Sequence, residues 1–228
     1  MTLQSTIPQS FRQAIHGGDP YAGFPVGEYK LDLQGFGTGD FGSESPLFEA
    51  VISTFRPQRL IEVGSWKGAS AVRMAAMMKK HGVAGEILCV DTWLGTAQTW
   101  LDRQGLNFIP MRFGRPVTYE QFLANVILSG QADTIVPFSV DSITAAEVIA
   151  AKGLKADAIY IDAGHDYDHV DADIKAWWPN LRPAGLMFGD DYHPVWEGLV
   201  RAVQQFAGAN NLKLQTEYRD KWYFQKPA

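Results

Sequence analysis

Between Arg59 and Asp190, five short apolar runs alternate with stretches of helical periodicity, and this alternation constrains the fold more than any other feature of the chain. The runs are Arg59–Val63, Glu86–Asp91, Thr134–Ser139, Asp157–Asp162 and Gly185–Asp190. Each is mostly β-branched or apolar and is bounded by turn residues, which reads as a strand. The stretches between them, about Ala69–His81, Tyr119–Leu128, Ala145–Lys152 and Asp168–Leu181, carry apolar residues at helical spacing, and a further helix is expected at about Val195–Ala207. Near-continuous apolar strands alternating with helices imply an α/β chain. Its sheet is parallel, covered on both faces and joined by right-handed crossovers.

The flanks break this rhythm. Pro46 suits the first turn of a helix that carries Leu47, Phe48, Val51, Ile52 and Phe55 and stops at Pro57. Before it, residues 17–43 are rich in glycine and carry Tyr21, Phe24, Tyr29, Phe36 and Phe41, which reads as a loop-like arm with aromatic anchors. Thr92–Thr118 is too long for an ordinary connection and is expected to be a functional insertion. Leu212–Tyr218 and Trp222–Gln225, joined by a polar turn at Arg219–Lys221, predict an antiparallel hairpin at the sheet edge. We therefore expect an N-terminal arm or lid over residues 1–44, and a single domain over 45–228 with a lid-like insertion at 92–118.

Twenty-five acidic and 20 basic residues give a net charge of −5 with no basic block, which argues against a protein that grips nucleic acid through its phosphates. The single cysteine, Cys89, lies in an apolar run, so a disulfide framework or multi-cysteine zinc site within one chain is excluded. No apolar stretch approaches the length of a membrane span and the first fifteen residues lack a secretory pattern, so a cytoplasmic protein without membrane contact is expected. The arm's aromatic residues suit packing on a second copy as well as on their own domain, which leaves a homo-oligomer open.

The chemistry-bearing residues fall at the ends of the expected strands. Leu60 to Gly68 is a strand running into a glycine-punctuated turn and then a helix, with Gly64 and Gly68 permitting close backbone approach to a ligand. The dinucleotide fingerprint is absent, because Ser65 and Trp66 follow Gly64. Asp91 ends the second strand, where an acid is placed to bind ribose hydroxyls. Ser139, Val140 and Asp141 end the third and can line an adenine edge, although Asp141 and Ser142 serve equally well as helix caps. Asp162 ends the fourth strand and Asp190 with Asp191 the fifth, so three carboxylates are expected to cluster. Such a cluster needs a cation or a proton, and hard oxygen donors suit Mg²⁺ or a similar divalent ion. The alternative is that Asp190 and Asp191 cap the following helix while Asp162 binds backbone amides. His165, three residues past Asp162, is placed either to accept a proton from a substrate hydroxyl or to orient the acids. Trp93 follows Asp91 closely enough to cover an adenine or to pack inside, whereas Trp177 and Trp178 continue a helical apolar pattern and read as core.

At this point the sequence resembles the class I S-adenosylmethionine-dependent methyltransferases over about Ser45 to the C-terminus. The resemblance is closest in Ile61 to Ala75, which is similar to the opening motif of the catechol O-methyltransferases. It implies a Rossmann-like, doubly wound, seven-stranded sheet in the order 3-2-1-4-5-7-6. It also implies S-adenosylmethionine held by Glu62, Gly64, Ser65, Trp66, Gly68 and Ser70 at the methionine end, by Asp91 at the ribose, and by Trp93, Ser139, Val140, Asp141 and Asp162 around the rest. By the same resemblance Asp162, Asp190 and Asp191 match a metal triad; the candidate catalytic residues are Asp162 and, from its own place on the loop after Asp162 rather than from the resemblance, His165. Two positions depart from the catechol enzymes, which have lysine where this chain has His165 and asparagine where it has Asp191. The Asp190-Asp191 pair is more similar to bacterial metal-dependent enzymes that methylate natural-product sugars. The expected activity is divalent-metal-assisted methyl transfer to a hydroxyl of a small molecule, catechol-like or sugar. The alternatives are a metal-independent methyltransferase and a non-catalytic cofactor-binding protein.

Overall fold

Four of the five apolar runs become strands within one residue at either end; the fifth begins at Leu181, four residues ahead of the expected Gly185, because the helix expected to reach Leu181 stops at Trp177. The computed structural model describes residues 10–34, 45–101, 107, 109–216, 218 and 220–228. In it, β1 (Arg59–Val63) is followed by α3 (Ala69–Lys80) and β2 (Glu86–Asp91), and α1 (Phe11–Ile15) and α2 (Pro46–Ala50) precede them. An insertion carries α4 (Ala97–Leu101) and a hairpin of β3 (Met111–Arg112) and β4 (Arg115–Pro116). Then come α5 (Thr118–Leu128), β5 (Ile135–Ser139), α6 (Ser142–Ala151), β6 (Ala156–Ile161), α7 (Tyr167–Trp177), β7 (Leu181–Gly189), α8 (Glu197–Ala209) and β8 (Trp222–Gln225).

The main sheet runs β5-β2-β1-β6-β7-β8, parallel throughout except for β8, which pairs antiparallel with β7. This is the expected order, with six strands among the described residues where seven are predicted. The missing member is Leu212–Tyr218, of which one antiparallel bridge, Gln215 to Tyr223, is formed. Leu212 and Leu214 pack against the core below. Residues 217 and 219 of that run lie outside the described residues.

Successive strand residues serve opposite layers, as the pleat requires. Ile61, Val63, Leu88, Val90, Ile159, Ile161, Met187, Trp222 and Phe224 pack under α6, α7 and α8. Leu60, Ile87, Cys89, Tyr160 and Phe188 pack under α2, α3 and α5. The helices are capped locally: Ser45 caps α2, Asp141 accepts Thr144 N–H at the start of α6, and Asp166 accepts His169 N–H at the start of α7. The predicted helix from Pro46 is α-helical to Ala50 and π-helical over Val51–Phe55, ending where Arg56 turns left-handed at φ +53°. Among the described residues no helix is long and apolar enough to cross a membrane.

The arm is more structured than a loop. Phe11 of α1 is buried, and the arm covers the edge strand by satisfying its outward carbonyls. Arg12 donates to the carbonyls of Ala132 and Ile135, the Tyr21 hydroxyl donates to Ile135 at 3.1 Å, and the His16 ring meets Pro137 O at 2.6 Å. The anchors Phe36 and Phe41 lie outside the described residues. In the insertion, Phe113 (φ +51°) and Gly114 (φ +77°) form the two-residue turn between β3 and β4, a left-handed pair that matches the strand twist.

Candidate active site

Strand register brings the candidate residues into one row. Val63 pairs with Val90 on one side and Ile161 on the other, Ile161 pairs with Gly189, and Asp91 pairs with Ser139. One step beyond, Gly64 N–H bonds Val90 O at 2.9 Å, Asp162 N–H bonds Val63 O at 2.8 Å and Asp190 N–H bonds Ile161 O at 3.1 Å. The carboxyl-end rim therefore reads Ser139, Asp91, Gly64, Asp162, Asp190 across five strands, the place where open α/β sheets bind ligands.

Gly64 is required by its neighbour as well as by its φ of +86°: a Cβ there would lie 2.0 Å from Asp162 O. The turn after it is held from below by two acids. Glu62, fully buried, accepts Ser65 Oγ at 2.7 Å and Ser70 Oγ at 2.5 Å, with Cys89 Sγ at 3.4 Å. Burial pushes its carboxyl up against those hydrogen bonds. Asp91 Oδ2 accepts the N–H groups of Ser65 at 2.9 Å and Trp66 at 2.8 Å, and its Oδ1 accepts that of Trp93 at 2.7 Å. Burial raises Asp91 too, opposed by these backbone donors. Three amides on one carboxylate pull the turn into shape, and Trp66 is held left-handed at φ +46°. Gly68, left-handed at φ +84°, starts α3 without a side-chain cap, which leaves the first-turn amides available to a ligand.

The remaining expectations for this half of the rim divide. Ser139 and Asp141 are exposed and Val140 half-buried at the end of β5, where they can line a ligand, although the Asp141 carboxylate itself caps α6. Trp93 takes the packing alternative: it is 1% exposed, lies against Tyr119 and Phe122, and donates Nε1–H to Trp66 O, so its ring does not cover the rim.

On the other half, each expected carboxylate has a partner within the chain. The Tyr160 hydroxyl sits 3.1 Å from both Asp162 Oδ2 and Asp190 Oδ2. Asp190 Oδ2 also pairs with the ammonium of Lys221, and its Oδ1 accepts Asp191 N–H at 2.8 Å. Asp191, left-handed at φ +59°, places Oδ2 2.9 Å from His165 Nε2. Burial, reinforced by the charges of Asp190 and Asp191, pushes the Asp162 carboxyl well above the ordinary range, and burial raises Asp190 against the opposing pull of Lys221. Among the described residues no three His, Cys, Asp or Glu side chains are grouped to hold a metal ion. With Lys221 and Tyr160 already on Asp190 and His165 already on Asp191, the donor set does not fit the three-carboxylate ion site expected from the sequence. The helix-capping alternative is not adopted either, since His193 caps the turn that follows Asp191.

His165 stacks on Trp196 with ring centroids 4.2 Å apart and 28° between planes. The two rings help line a cavity of about 340 Å³ together with Asp166, Val195, Glu197 and Gly198. Stacking and the Asp191 contact fix the imidazole from two sides, so it can take and return a proton at the rim without reorienting.

Sequence reasoning missed four contributors. Tyr160 shares a strand face with Asp162 two residues on, which the alternation already implies. Lys221, expected in the polar turn, stands one residue ahead of β8, and only the pairing of β8 with β7 sets it against Asp190. Trp196 has no periodic signal. Asn125, fully buried in α5, bonds Asp32 O at 2.6 Å and Lys67 O at 2.8 Å and accepts Asp32 N–H at 2.9 Å, while Lys67 Nζ pairs with Asp32 at 2.6 Å. The arm is thereby tied to the glycine turn.

Comparison with known proteins supports the fold. No curated protein sequence matches the chain. The O-methyltransferase of Bacillus cereus, solved with S-adenosylhomocysteine, superposes with a TM-score of 0.59 at 14% identity, covering 86% of this chain and 84% of that one. The cofactor-bound protein Rv0187 from MTB gives 0.60 at 14% identity over 94% and 93%. CalS11, a TDP-rhamnose 3'-O-methyltransferase of calicheamicin biosynthesis, gives 0.55 at 17% identity over 78% and 77%. A methyltransferase domain family matches residues 61–192, from β1 through the carboxylates at the end of β7. The chain, of class I S-adenosylmethionine-dependent methyltransferase fold, belongs to that family.

Proposed function

We propose that this protein transfers the methyl group of S-adenosylmethionine to a hydroxyl of a small molecule, catechol-like or sugar. One observation carries the reading: the glycine turn with its Asp91 staple and the His165–Asp191 pair meet across the Gly64–Asp162 contact. On this reading the turn is the cofactor cradle and His165 the proton acceptor beside it. The cofactor, when bound, supplies a methyl group on a cationic sulfur. Residues Gly64 to Gly68 and Ser70 hold its amino-acid end, Asp91 its ribose, and Ser139 to Asp141 its base. Glu62 acts from beneath the turn rather than at the cofactor surface, because its carboxylate is enclosed by Ser65, Ser70 and Cys89.

The acceptor enters beside Trp196, and its hydroxyl gives its proton to His165 at Nδ1, Nε2 being held by Asp191. Asp162, whose carboxyl burial keeps toward the protonated form, orients the acceptor by hydrogen bonding. Alignment of acceptor oxygen with the methyl group supplies the larger part of the acceleration. A divalent ion, expected from the resemblance, has no step in this scheme, because its donors are engaged by Lys221, Tyr160 and His165.

The reading favours neutral hydroxylated acceptors over phosphorylated ones, since Asp166 and Glu197 line the cavity next to His165. The test is incubation with S-adenosylmethionine and a panel of catechols and sugars, following S-adenosylhomocysteine and methylated product. Product with at least one hydroxylated acceptor is expected. Tight cofactor binding with no turnover across the panel would favour a non-catalytic cofactor-binding protein.

A further inference from the structure

The row of strand ends has a sixth member. Gly189 pairs with Trp222 in the antiparallel β7–β8 ladder, so the next step sets Asp190 against Lys221. Lys221 is 1% exposed, its ammonium contacts Asp190 Oδ2, and it lies 3.4 Å from the Tyr160 hydroxyl. The rings of Phe48 and Tyr160 take up its remaining surface at 5.5 and 5.8 Å. A buried ion pair seldom stabilises a fold more than an apolar pair of the same volume, so stability alone gives no reason for a lysine here. Its position does, because the Asp190–Tyr160–Asp162 chain of contacts passes its charge along the rim.

We propose that Lys221 is the site's own resident cation, a positioning residue that takes the place of a divalent ion by fixing Asp190 and, through Tyr160, Asp162. The proposal rests on the methyltransferase reading above. It accounts for each of the three rim carboxylates: Asp190 is paired with Lys221, Asp191 with His165, and Asp162 with the Tyr160 hydroxyl. Removing the ammonium leaves the Asp190 carboxylate with no counter-charge beside the Asp162 carboxyl, the condition under which hard oxygen donors recruit a divalent ion.

The experiment uses Mn²⁺ alone as the probe, followed by electron paramagnetic resonance on chelator-treated full-length protein, alongside methyl transfer with and without chelator. Wild type is expected to bind no Mn²⁺ at the rim and to keep its activity in chelator. Lys221→Ala is expected to gain Mn²⁺ affinity at least tenfold, and Lys221→Ala combined with Asp190→Asn to lose it again. Lys221→Arg, which keeps the charge, should behave as wild type toward Mn²⁺. Stoichiometric Mn²⁺ on wild type that Asp190→Asn removes, or wild-type activity lost in chelator and restored by Mg²⁺, would overturn the proposal. So would a Lys221→Ala protein that binds S-adenosylmethionine normally yet gains no Mn²⁺. If Lys221→Ala does not fold, the wild-type arms decide. Absence of turnover under every condition would count against the methyltransferase reading and leave the Mn²⁺ result standing on its own.

Discussion

Asp173 makes a quantitative test of the packing beneath the site. It lies in α7 with 6% of its surface exposed, hydrogen-bonded to Ser142, which also accepts Trp177 Nε1–H at 2.9 Å. Burial, aided by the charge of Asp166 and opposed by the Ser142 hydrogen bond and by His169, raises its carboxyl from 3.8 to about 6. A raised value means that the folded chain holds this proton more tightly than the unfolded chain. Between about pH 4 and about pH 6 the folded state therefore binds more protons, and stability falls as pH rises through that window. Two pH units at about 1.4 kcal/mol each put the cost of ionised Asp173 near pH 7 at about 3 kcal/mol. Asp173→Asn removes the charge and keeps an acceptor for Ser142. Urea unfolding of both proteins should give nearly equal stabilities near about pH 4, and an advantage of roughly 2–3 kcal/mol for the variant near about pH 8. A difference that stays flat across this range would refute the argument that burial dominates at Asp173.

The other predictions concern the site. Gly64→Ala, which sets a Cβ at 2.0 Å from Asp162 O in a left-handed backbone, should weaken S-adenosylmethionine binding by at least about tenfold in calorimetry; unchanged affinity would mean that the turn does not touch the cofactor. His165→Gln should lower turnover by roughly 10²–10⁴ and leave cofactor affinity near wild type, while an unaltered kcat would remove His165 as proton acceptor. Asn125→Ala deletes a buried side chain that joins Asp32 to Lys67. It should cost roughly 2–4 kcal/mol in urea unfolding and speed hydrogen exchange over residues 26–34, and exchange confined to α5 would show the arm to be anchored elsewhere.

The sheet was legible because its residues carry the signal locally. Arg59–Val63 and Glu86–Asp91 are bounded by turn residues on both sides, and the observed strands have the same limits. The rim was legible for the same reason, since Asp91, Asp162 and Asp190 are strand-end residues and parallel register brings strand ends together. What the sequence hid depends on contacts far apart in the chain. Arg12 and Tyr21 recognise carbonyls more than a hundred residues away, so the arm's helix and its hold on β5 have no periodic trace. The ionic character of the site was hidden similarly. Three acids in isolation call for a metal, and only the antiparallel register of β8 shows that Lys221 faces them. Trp93 belongs to this group too, because its burial is decided by Tyr119 and Phe122 on the far side of the insertion.

The central claim is that the proposed cradle, from Ser139 and Asp91 to the Gly64–Gly68 turn, holds S-adenosylmethionine. Calorimetric titration of S-adenosylmethionine into the full-length protein, with chelator present, tests it most directly. One molecule bound per chain, with the heat lost in Gly64→Ala, is the predicted result. The absence of binding in wild type, or binding that Gly64→Ala leaves intact, would contradict it.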